Sequence, residues 1–505
     1  MGQFNWRQFS CGRAGWRLSL TLVCTAAVSA PLFSAPLFSA PLLAQTGTRP
    51  APTQLQAPSA LPAGFTTPSG YGDSVYPALG DAGLDVTHYD LSLRSDPGVD
   101  RLIGRAVLNI EARTPLTQIS LDFAGPQVLG VKLNGRSARH VQAGEKLLIL
   151  PPAPIAAGTA FTLTVAYSGT PALHLDASSG GGLRLGWIAQ AGGSYVLSEP
   201  DGAHTFFPCN DVPADGASYS LHLNLPAGTT AVASGVQTRQ TTLAGRTLSD
   251  FELVQEIPTY ALTVHTGRLE LVTQPGPAGI QIRNAFPVGL PDTVRAAFGQ
   301  TPAMLGFLAD WFGPYPYPVY GVAVTEDPQL PALETATLST FPSRPEAPVT
   351  ALHELAHQWF GDNLRLGDWS DIWLNEGFAT YAELLWAEGQ GEAAAPILDR
   401  WYARLVREPA RGVIASTPAQ LFDSSSYFRG ALTLHALRLK VGDARFRQIL
   451  RTYAARFSAR SVRTTDFLGV VQELGGAAAL EAMQPWLTGT ALPPLPKETL
   501  TQTVR

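Results

Sequence analysis

The stretch HELAHQWFGD (353–362) places two histidines in an otherwise apolar run of a 505-residue chain that has only nine histidines. His353 and His357 are four positions apart, so on a helix they project from one face about one turn from each other. Glu354 is displaced round the helix, where it can flank a metal ion without binding it. The pattern predicts a pair of metal ligands beside a general base. The alternative is two core histidines hydrogen-bonded to the backbone.

A third ligand is predicted in DIWLNEGFATYAE (371–383). Eighteen residues separate His357 from Glu376, and the apolar residues around Glu376 are typical of a second helix that packs against the first. Two imidazoles and one carboxylate suit a single catalytic Zn²⁺ and leave one position open for water. Zinc lowers the pKa of such a water to about 7, and Glu354 would move its proton to the leaving nitrogen.

The sequence on either side of this site divides into two parts by the period of its apolar residues. From about 84 to 270, apolar and polar residues alternate in short runs separated by Gly, Pro and Asn, which predicts a large antiparallel β domain. After about 290 the period becomes helical. Helices are predicted at 292–312, 348–363, 371–390, 393–408, 427–440, 443–457 and 464–474.

The N-terminus has the features of an export signal. Arginines precede the apolar run LSLTLVCTAAVSA (18–30), which is too short for a comfortable membrane span. We therefore expect a secretory signal over 1–44 and a flexible Pro- and Thr-rich linker over 45–80. The expected location is extracytoplasmic, either secreted or periplasmic, and the alternative is an uncleaved signal that tethers the protein to a membrane. Cys209 would then be the single cysteine of the mature chain, and we expect a packed core thiol.

The zinc motifs resemble those of one enzyme family. HELAHQWFGD, followed after eighteen residues by the glutamate of WLNEGFATY, resembles the aminopeptidase N family of zinc metallopeptidases in the gluzincin clan. The resemblance implies a multidomain α and β fold, with an N-terminal antiparallel β-saddle domain (81–272) followed by a mainly helical, thermolysin-like catalytic domain (273–496). It covers roughly 84–496. It also implies a short form without the C-terminal helical-repeat domain, with only a tail (497–505) after the catalytic domain.

The same resemblance implies how a free α-ammonium group would be recognised. PALETATLSTF (331–341) matches the family's Gly-x-Met-Glu-Asn segment and puts Glu334 at an amine-binding position, with Ala332 and Leu333 as further substrate contacts. Pro331 stands where the family has glycine and Thr335 where it has asparagine, so the positioning of the substrate backbone differs from the family pattern.

A second amine-binding carboxylate is implied in SEPDGAHTFFPCND (198–211), where Glu199 takes the family position. SSYFRGALTLHALR (425–438) resembles the family's Tyr-x-Lys-Gly segment, with Arg429 in place of lysine. Tyr427 would then donate a hydrogen bond to the oxyanion of the transition state. We also expect carboxylates to orient the two zinc-binding imidazoles, and the candidates are Asp362 and Asp371.

Three functions are compatible with these residues. The leading hypothesis is a monomeric, one-zinc aminopeptidase that acts on peptides with a free N-terminus. The alternatives are a lipid epoxide hydrolase of the same fold and a catalytically inactive scaffold that binds peptides or a partner. The presence of every zinc ligand and of Glu354 argues against the scaffold. A net charge of −5 without a basic cluster argues against nucleic-acid binding, and we expect no stable membrane insertion.

Overall fold

A computed structural model of the protein describes residues 61–495. The predicted signal segment (1–44), residues 45–60 of the predicted linker (45–80) and the predicted tail (497–505) lie outside the described residues. Two parts of the described chain are named here: the β-rich half (61–268) and the helical half (269–495). Among residues 61–495, none of the helices combines the length and apolar character that crossing a bilayer requires.

The β-rich half is built from three sheets. The largest has eight strands in the order β14-β15-β12-β1-β2-β8-β4-β5, and it is flanked by sheets β13-β16-β11-β10-β9 and β3-β7-β6. The strands are β1 (Leu84–Arg94), β2 (Leu102–Ala112), β3 (Ile119–Asp122), β4 (Gln127–Leu133), β5 (Arg136–Ser137), β6 (Arg139–Ala143), β7 (Lys146–Leu150), β8 (Ala160–Gly169), β9 (His174–Leu175), β10 (Arg184–Gln190), β11 (Gly193–Leu197), β12 (Ala217–Pro226), β13 (Thr230–Ala233), β14 (Val236–Leu243), β15 (Arg246–Ile257) and β16 (Val264–Gly267).

The alternating sequence explains the large sheet. In β2 every second side chain is buried, because successive residues of a strand point to opposite faces. The β-domain prediction is therefore confirmed, with one difference in pairing. β1 and β12 run parallel rather than antiparallel. The many residues between them leave room for the long connection that a parallel pair needs.

The helical half begins with a mixed sheet and continues as packed helices. The elements are β17 (Leu269–Pro275), β18 (Gln281–Pro287), α1 (Asp292–Arg295), α2 (Thr301–Phe312), β19 (Val319–Tyr320), β20 (Val322–Val324), β21 (Ser339–Phe341), α3 (Pro348–Ala356), β22 (Leu364–Leu366), α4 (Trp373–Gly389), α5 (Ala394–Leu405), α6 (Gly430–Val441), α7 (Asp443–Arg456), β23 (Arg460–Val462), α8 (Thr464–Gly475) and α9 (Ala477–Leu487). The domain boundary predicted at 272 falls inside β17, which pairs with β18 of this half.

Two helix predictions differ from the structure. The segment 292–312 is interrupted, because a short 3-10 turn over 296–298 separates α1 from α2. Helix α9, which contains Pro485 near its end, was not predicted. One apolar cluster extends through both halves and contains, for example, Leu91 of β1 and Leu355 of α3. The site therefore lies on a scaffold whose two halves share a core.

Candidate metal centre

Helices α3 and α4 bring the three predicted zinc ligands together. The Nε2 atom of His353 lies 3.3 Å from Oε2 of Glu376, and Nε2 of His357 lies 3.6 Å from the same oxygen. One ligand atom from each of the three residues lies within 4.8 Å of the others. His357 and Glu376 are almost fully buried, while His353 is slightly open to solvent. Two nitrogens and one carboxylate oxygen at this spacing fit a tetrahedral Zn²⁺ with one open position.

The outer nitrogen of each imidazole has a partner that fixes the ring. Nδ1 of His353 donates to Oε1 of Glu383 at 2.8 Å, and Nδ1 of His357 donates to the carbonyl of Phe360 at 3.1 Å. These bonds leave both Nε2 atoms free to face the metal. Sequence reasoning missed Glu383. The signal was present, because Glu376 and Glu383 are seven residues apart on one helix and so share a face.

The expectation that Asp362 and Asp371 orient the imidazoles is wrong. Asp371 accepts a hydrogen bond from Thr464 at 2.6 Å and pairs with Arg463 at 2.8 Å, so it anchors the start of α8. Asp362 is fully buried, and neither of its carboxylate oxygens has a hydrogen-bond partner among residues 61–495.

The position of Glu376 depends on close packing between α4 and α6. A Cβ atom on Gly377 would lie 2.9 Å from the backbone of Gly430, and a Cβ on Gly430 would lie 2.9 Å from the Cα of Gly377. Only glycine at both positions allows the two helices to approach this closely. Glu376 also lies in the first turn of α4, where the helix dipole favours a negative charge.

Carboxylates outnumber imidazoles around the centre, and this shifts their pKa values. Burial lowers the pKa of His357, but the charges of Glu334 and Glu376 raise it to about 8. Burial raises the pKa of Glu376, but the charge of His357 and the hydrogen bonds with both histidines lower it to about 2. Burial raises the pKa of Glu354 to about 8, although the charges of His353 and His357 oppose the shift. A buried excess of negative charge favours a bound cation, so the donor set fits zinc.

The loop that carries Glu334 is attached directly to the end of α3. Nε2 of Gln358 donates to the carbonyl of Glu334 at 2.8 Å, and Oε1 of Gln358 accepts from the backbone N–H of Thr337 at 2.7 Å. Leu333 pairs with Thr340 at the edge of β21 through two backbone hydrogen bonds of 2.8 and 2.9 Å. Gln358 is a second residue that sequence reasoning missed. It follows the end of α3 and is a single polar residue in a buried segment, so no repeating sequence pattern marks it.

These attachments bring Glu334 to the metal ligands. One ligand atom each from Glu334, Glu354 and His357 lies within 4.8 Å of the others. The side chain of Glu334 is 3% exposed, and its Oε1 has no hydrogen-bond partner among the described residues. Burial and the charge of Glu376 raise the pKa of Glu334, against the lowering charge of His357. A buried carboxylate oxygen without a partner in the chain is stabilised by a cation or a donor from outside the chain.

Glu199 comes from the β-rich half, and its carboxyl lies close enough to Glu334 and Glu376 to feel their charges. Burial raises the pKa of its carboxyl well above the usual range, and the charges of Glu334 and Glu376 raise it further. Its side chain is 7% exposed, and its Oε1 has no partner among residues 61–495. Ala332 is partly buried and Leu333 packs in a cluster with residues such as Leu197. The prediction of a packed thiol is confirmed for Cys209, which is fully buried and free.

Tyr427 lies in a single π-helical turn (Ser425–Arg429) directly before α6. Its ring stacks on that of His353 with 6.0 Å between the centroids. Burial raises the pKa of Tyr427 well above its usual range, and the charge of Glu376 adds to the shift, so the phenol keeps its proton and can donate a hydrogen bond. The π turn re-aims this side chain, and such turns are frequent at functional sites.

Two family profiles match the chain in order. The Peptidase M1 N-terminal domain matches residues 86–261, and the Peptidase family M1 domain matches residues 296–486. Among curated proteins, the endoplasmic reticulum aminopeptidase 1 of Rattus norvegicus is 24% identical over 425 residues, which cover 75% of this chain and 45% of that protein. The chain spans about half the length of the curated relatives it matches.

Solved structures give a fuller match. The M1 zinc metallopeptidase from Deinococcus radiodurans is 46% identical, with a TM-score of 0.81 and coverage of 85% of this chain and 99% of that chain. A mutant of the same metallopeptidase bound to a Tyr-Ser-Ala substrate matches equally well, with coverage of 100% of that chain. Since nearly half of the aligned residues are identical across the whole length of these structures, and both profiles match in the same order, this chain belongs to peptidase family M1.

Proposed function

We propose that this chain is a zinc-dependent aminopeptidase that hydrolyses the N-terminal peptide bond of peptides. The observation that carries the proposal is the buried, unpartnered Oε1 of Glu334, whose carboxylate lies within ligand distance of Glu354 and His357. A cation that arrives with the substrate satisfies this oxygen, and the α-ammonium group of a peptide is such a cation. A side chain placed there also blocks a peptide that would continue past its N-terminus.

The division of work follows from the positions of the side chains. His353, His357 and Glu376 would hold the Zn²⁺, which supplies Lewis acidity for a bound carbonyl and for water. Glu354 takes a proton from the attacking water and delivers it to the leaving nitrogen. Its buried position, with a carboxylate oxygen within ligand distance of His357, suits that exchange.

Two carboxylates from different parts of the chain would bind the amine. Glu334 lies beside the zinc ligands, and Glu199 feels the charges of Glu334 and Glu376 strongly. The backbone of Ala332 has no hydrogen-bond partner among residues 61–495, so it is available to pair with the substrate main chain. Leu333 would contribute apolar surface at the first side-chain pocket.

Tyr427 would hydrogen-bond the oxyanion of the tetrahedral transition state. Its phenol keeps a proton at neutral pH, and its ring lies against His353. Because the bond forms only as the oxyanion develops, Tyr427→Phe is expected to lower kcat about 10²–10³-fold and to leave KM nearly unchanged. Steady-state kinetics check this, and an equal loss in binding of a non-hydrolysed ligand would contradict the role.

The substrate class follows from the relatives. The Deinococcus radiodurans metallopeptidase was crystallised with Tyr-Ser-Ala, and a two-domain M1 zinc metallopeptidase mutant was crystallised with L-arginine. We extend these ligands to this chain and propose short peptides with a free N-terminus as substrates. We also propose that the chain acts outside the cytoplasm, because its first 44 residues have the features expected of an export signal. We propose separately that it is a monomer.

The test compares Tyr-Ser-Ala with its N-acetylated form. We expect tyrosine to be released only from the free peptide, and equal cleavage of both would overturn the amine site. Glu354→Gln is expected to lower kcat about 10²–10⁴-fold at unchanged zinc content. Glu334→Gln loses a charged hydrogen bond of about 1.5–3 kcal/mol, so kcat/KM for free peptides falls about 10–150-fold.

A matched control is Glu481→Gln, which removes an exposed carboxylate from α9, far along the chain from every proposed site residue. This variant is expected to keep wild-type kinetics and zinc content. Unchanged turnover in Glu354→Gln would rule out its role as the general base. Loss of zinc in that variant would instead show that the substitution disturbs the ligands.

A further inference from the structure

A second group of metal-ligating side chains lies in the β-rich half, separate from the residues that hold the catalytic centre. Glu145 lies in the turn between β6 and β7, His174 begins β9, and His204 lies in a 3-10 turn (Ala203–Thr205). One ligand atom from each of the three residues lies within 4.8 Å of the others. The two imidazole rings meet edge to face with 5.3 Å between their centroids.

His204 is the most informative member of this group. It is fully buried, and its Nδ1 is hydrogen-bonded to Oδ2 of Asp211 at 2.7 Å. Asp211 is itself held in place by Thr259, whose hydroxyl donates to its other oxygen at 2.6 Å. The Nε2 of His204 is buried and has no hydrogen-bond partner among the described residues. A buried ring nitrogen without a partner is costly unless something outside the chain occupies the space that it faces.

His174 has an acidic side chain near each of its ring nitrogens. Its Nε2 lies 3.0 Å from Oδ1 of Asp201, which leaves Nδ1 facing Glu145 at 3.9 Å from Oε1. Each histidine therefore lies beside a buried or nearly buried aspartate, but only His204 makes a hydrogen bond to it. The Nε2 of His174, like that of His204, has no hydrogen-bond partner among the described residues. Metal-binding histidines almost always have this outer carboxylate or carbonyl partner.

We propose that Glu145, His174 and His204 form a second metal site, which takes a divalent cation of the zinc, cobalt or nickel class. Two imidazoles and one carboxylate favour these ions over magnesium or calcium, which prefer oxygen ligands alone. Glu145 is 59% exposed and so provides the open side through which the ion enters. The site has three protein ligands, and water completes the coordination.

The position of the site gives it a structural consequence. Asp201, which lies beside His174, is two residues after Glu199, and the segment is closed by a hydrogen bond from the N–H of Gly202 to the carbonyl of Ser198. A metal bound to His174 and His204 would link β9 to the segment that directly follows this turn. We expect the ion to stiffen the turn that carries Glu199 and to raise the thermal stability of the β-rich half.

The experiment measures zinc per chain by elemental analysis after dialysis of the full-length protein against micromolar Zn²⁺. Two equivalents are expected for the wild type. A variant that lacks the catalytic ligands, His353→Ala with His357→Ala, is expected to retain one equivalent. Adding His174→Gln or Glu145→Gln to that variant is expected to remove the remaining zinc. His140→Gln, a partly buried histidine of the same half, is the matched control and keeps it.

Asp201→Asn tests the outer carboxylate in the same background. It should leave the fold intact and raise the Kd for Zn²⁺ about 10–100-fold. One equivalent in the wild type and none in the variant without catalytic ligands would overturn the proposal. Retention of the second equivalent in both His174→Gln and Glu145→Gln would also overturn it. Circular dichroism of each variant separates loss of metal from loss of fold. If His174→Gln does not fold, Glu145→Gln alone decides the test, because its side chain is exposed and its substitution does not disturb the core.

Discussion

Arg429 is a buried arginine whose hydrogen bonds connect the turn before α6 to the end of α9, so its substitution has a predictable effect on stability and on kcat. The residue is 1% exposed, and its guanidinium donates to five backbone carbonyls, those of Arg411, Pro485, Trp486, Gly489 and Ala491. A cation at a helix C-terminus is favoured by the helix dipole as well. Arg429 also ends the π turn that carries Tyr427, so it ties that turn to the last helix.

The magnitude follows from the acceptors that a substitution leaves behind. Arg429→Met removes every donor, and two or three buried carbonyls left without a partner at about 1–3 kcal/mol each lower the free energy of unfolding by about 2–9 kcal/mol. Arg429→Lys keeps the charge, but its three donors share one nitrogen and cannot reach all five acceptors. The expected loss for Arg429→Lys is therefore about 1–3 kcal/mol, and the protein remains folded.

The kinetic expectation concerns Tyr427. If Arg429 fixes the π turn, Arg429→Lys lowers kcat about 10-fold or more and leaves KM and zinc content unchanged, because the displaced phenol acts on the transition state. In a Tyr427→Phe background the same substitution should have little further effect on kcat. Arg447→Lys, a half-exposed surface arginine paired with Asp310, is the control. If Arg429→Lys lowers kcat by the same factor in the Tyr427→Phe background as in the wild type, the link between Arg429 and the phenol is refuted.

Three further predictions concern the metal centre and the core. Glu383→Gln weakens the hydrogen bond that orients His353, so the Kd for Zn²⁺ should rise about 10–100-fold in a chelator competition. Gly377→Ala places a methyl 2.9 Å from the backbone of Gly430, and the forced separation of α4 and α6 should cost about 1–3 kcal/mol in chemical denaturation. His265 is buried, and burial lowers its pKa to about 3. The unfolded state therefore takes up a proton near pH 6.5 that the folded state excludes, and stability falls as pH drops below about 6.5 by up to about 1.4 kcal/mol per pH unit. In His265→Gln this slope should become shallower, as thermal denaturation between about pH 6 and 4 would show.

The grouping of the three candidate zinc ligands could be predicted because they obey helical spacing. His353 and His357 share a face of one helix, and Glu376 lies in a second helix that the sequence also indicates. The metal site could therefore be predicted without knowing which distant residues are in contact. Glu383 obeys the same rule and could have been found from its seven-residue spacing to Glu376. Asp362 and Asp371 were chosen for their proximity in sequence, but proximity does not fix direction, and Asp371 points to Thr464 and Arg463 instead.

Other features depend on contacts that no local pattern contains. The parallel pairing of β1 with β12 joins segments more than a hundred residues apart. The π turn at Tyr427 is stabilised by Arg429 and its carbonyl partners near the end of the chain, so it cannot be inferred from the sequence of the turn. The cluster of Glu145, His174 and His204 has no motif spacing at all, because three separate loops and strands bring it together.

On the proposed mechanism, recognition of a free amine needs both halves of the chain. Glu334 is held by Gln358 beside the zinc ligands, whereas Glu199 belongs to the β-rich half. Tyr260 of that half joins the two, since its hydroxyl accepts from Asn375 at 3.2 Å and donates to the carbonyl of Gly361 at 3.3 Å. Asn375 directly precedes Glu376, so the same tyrosine that anchors the β-rich half also contacts the neighbour of a zinc ligand. The distance between Glu199 and the candidate metal ligands is therefore set by packing between the halves, and on the proposed mechanism that distance would help to select the first peptide bond rather than a later one.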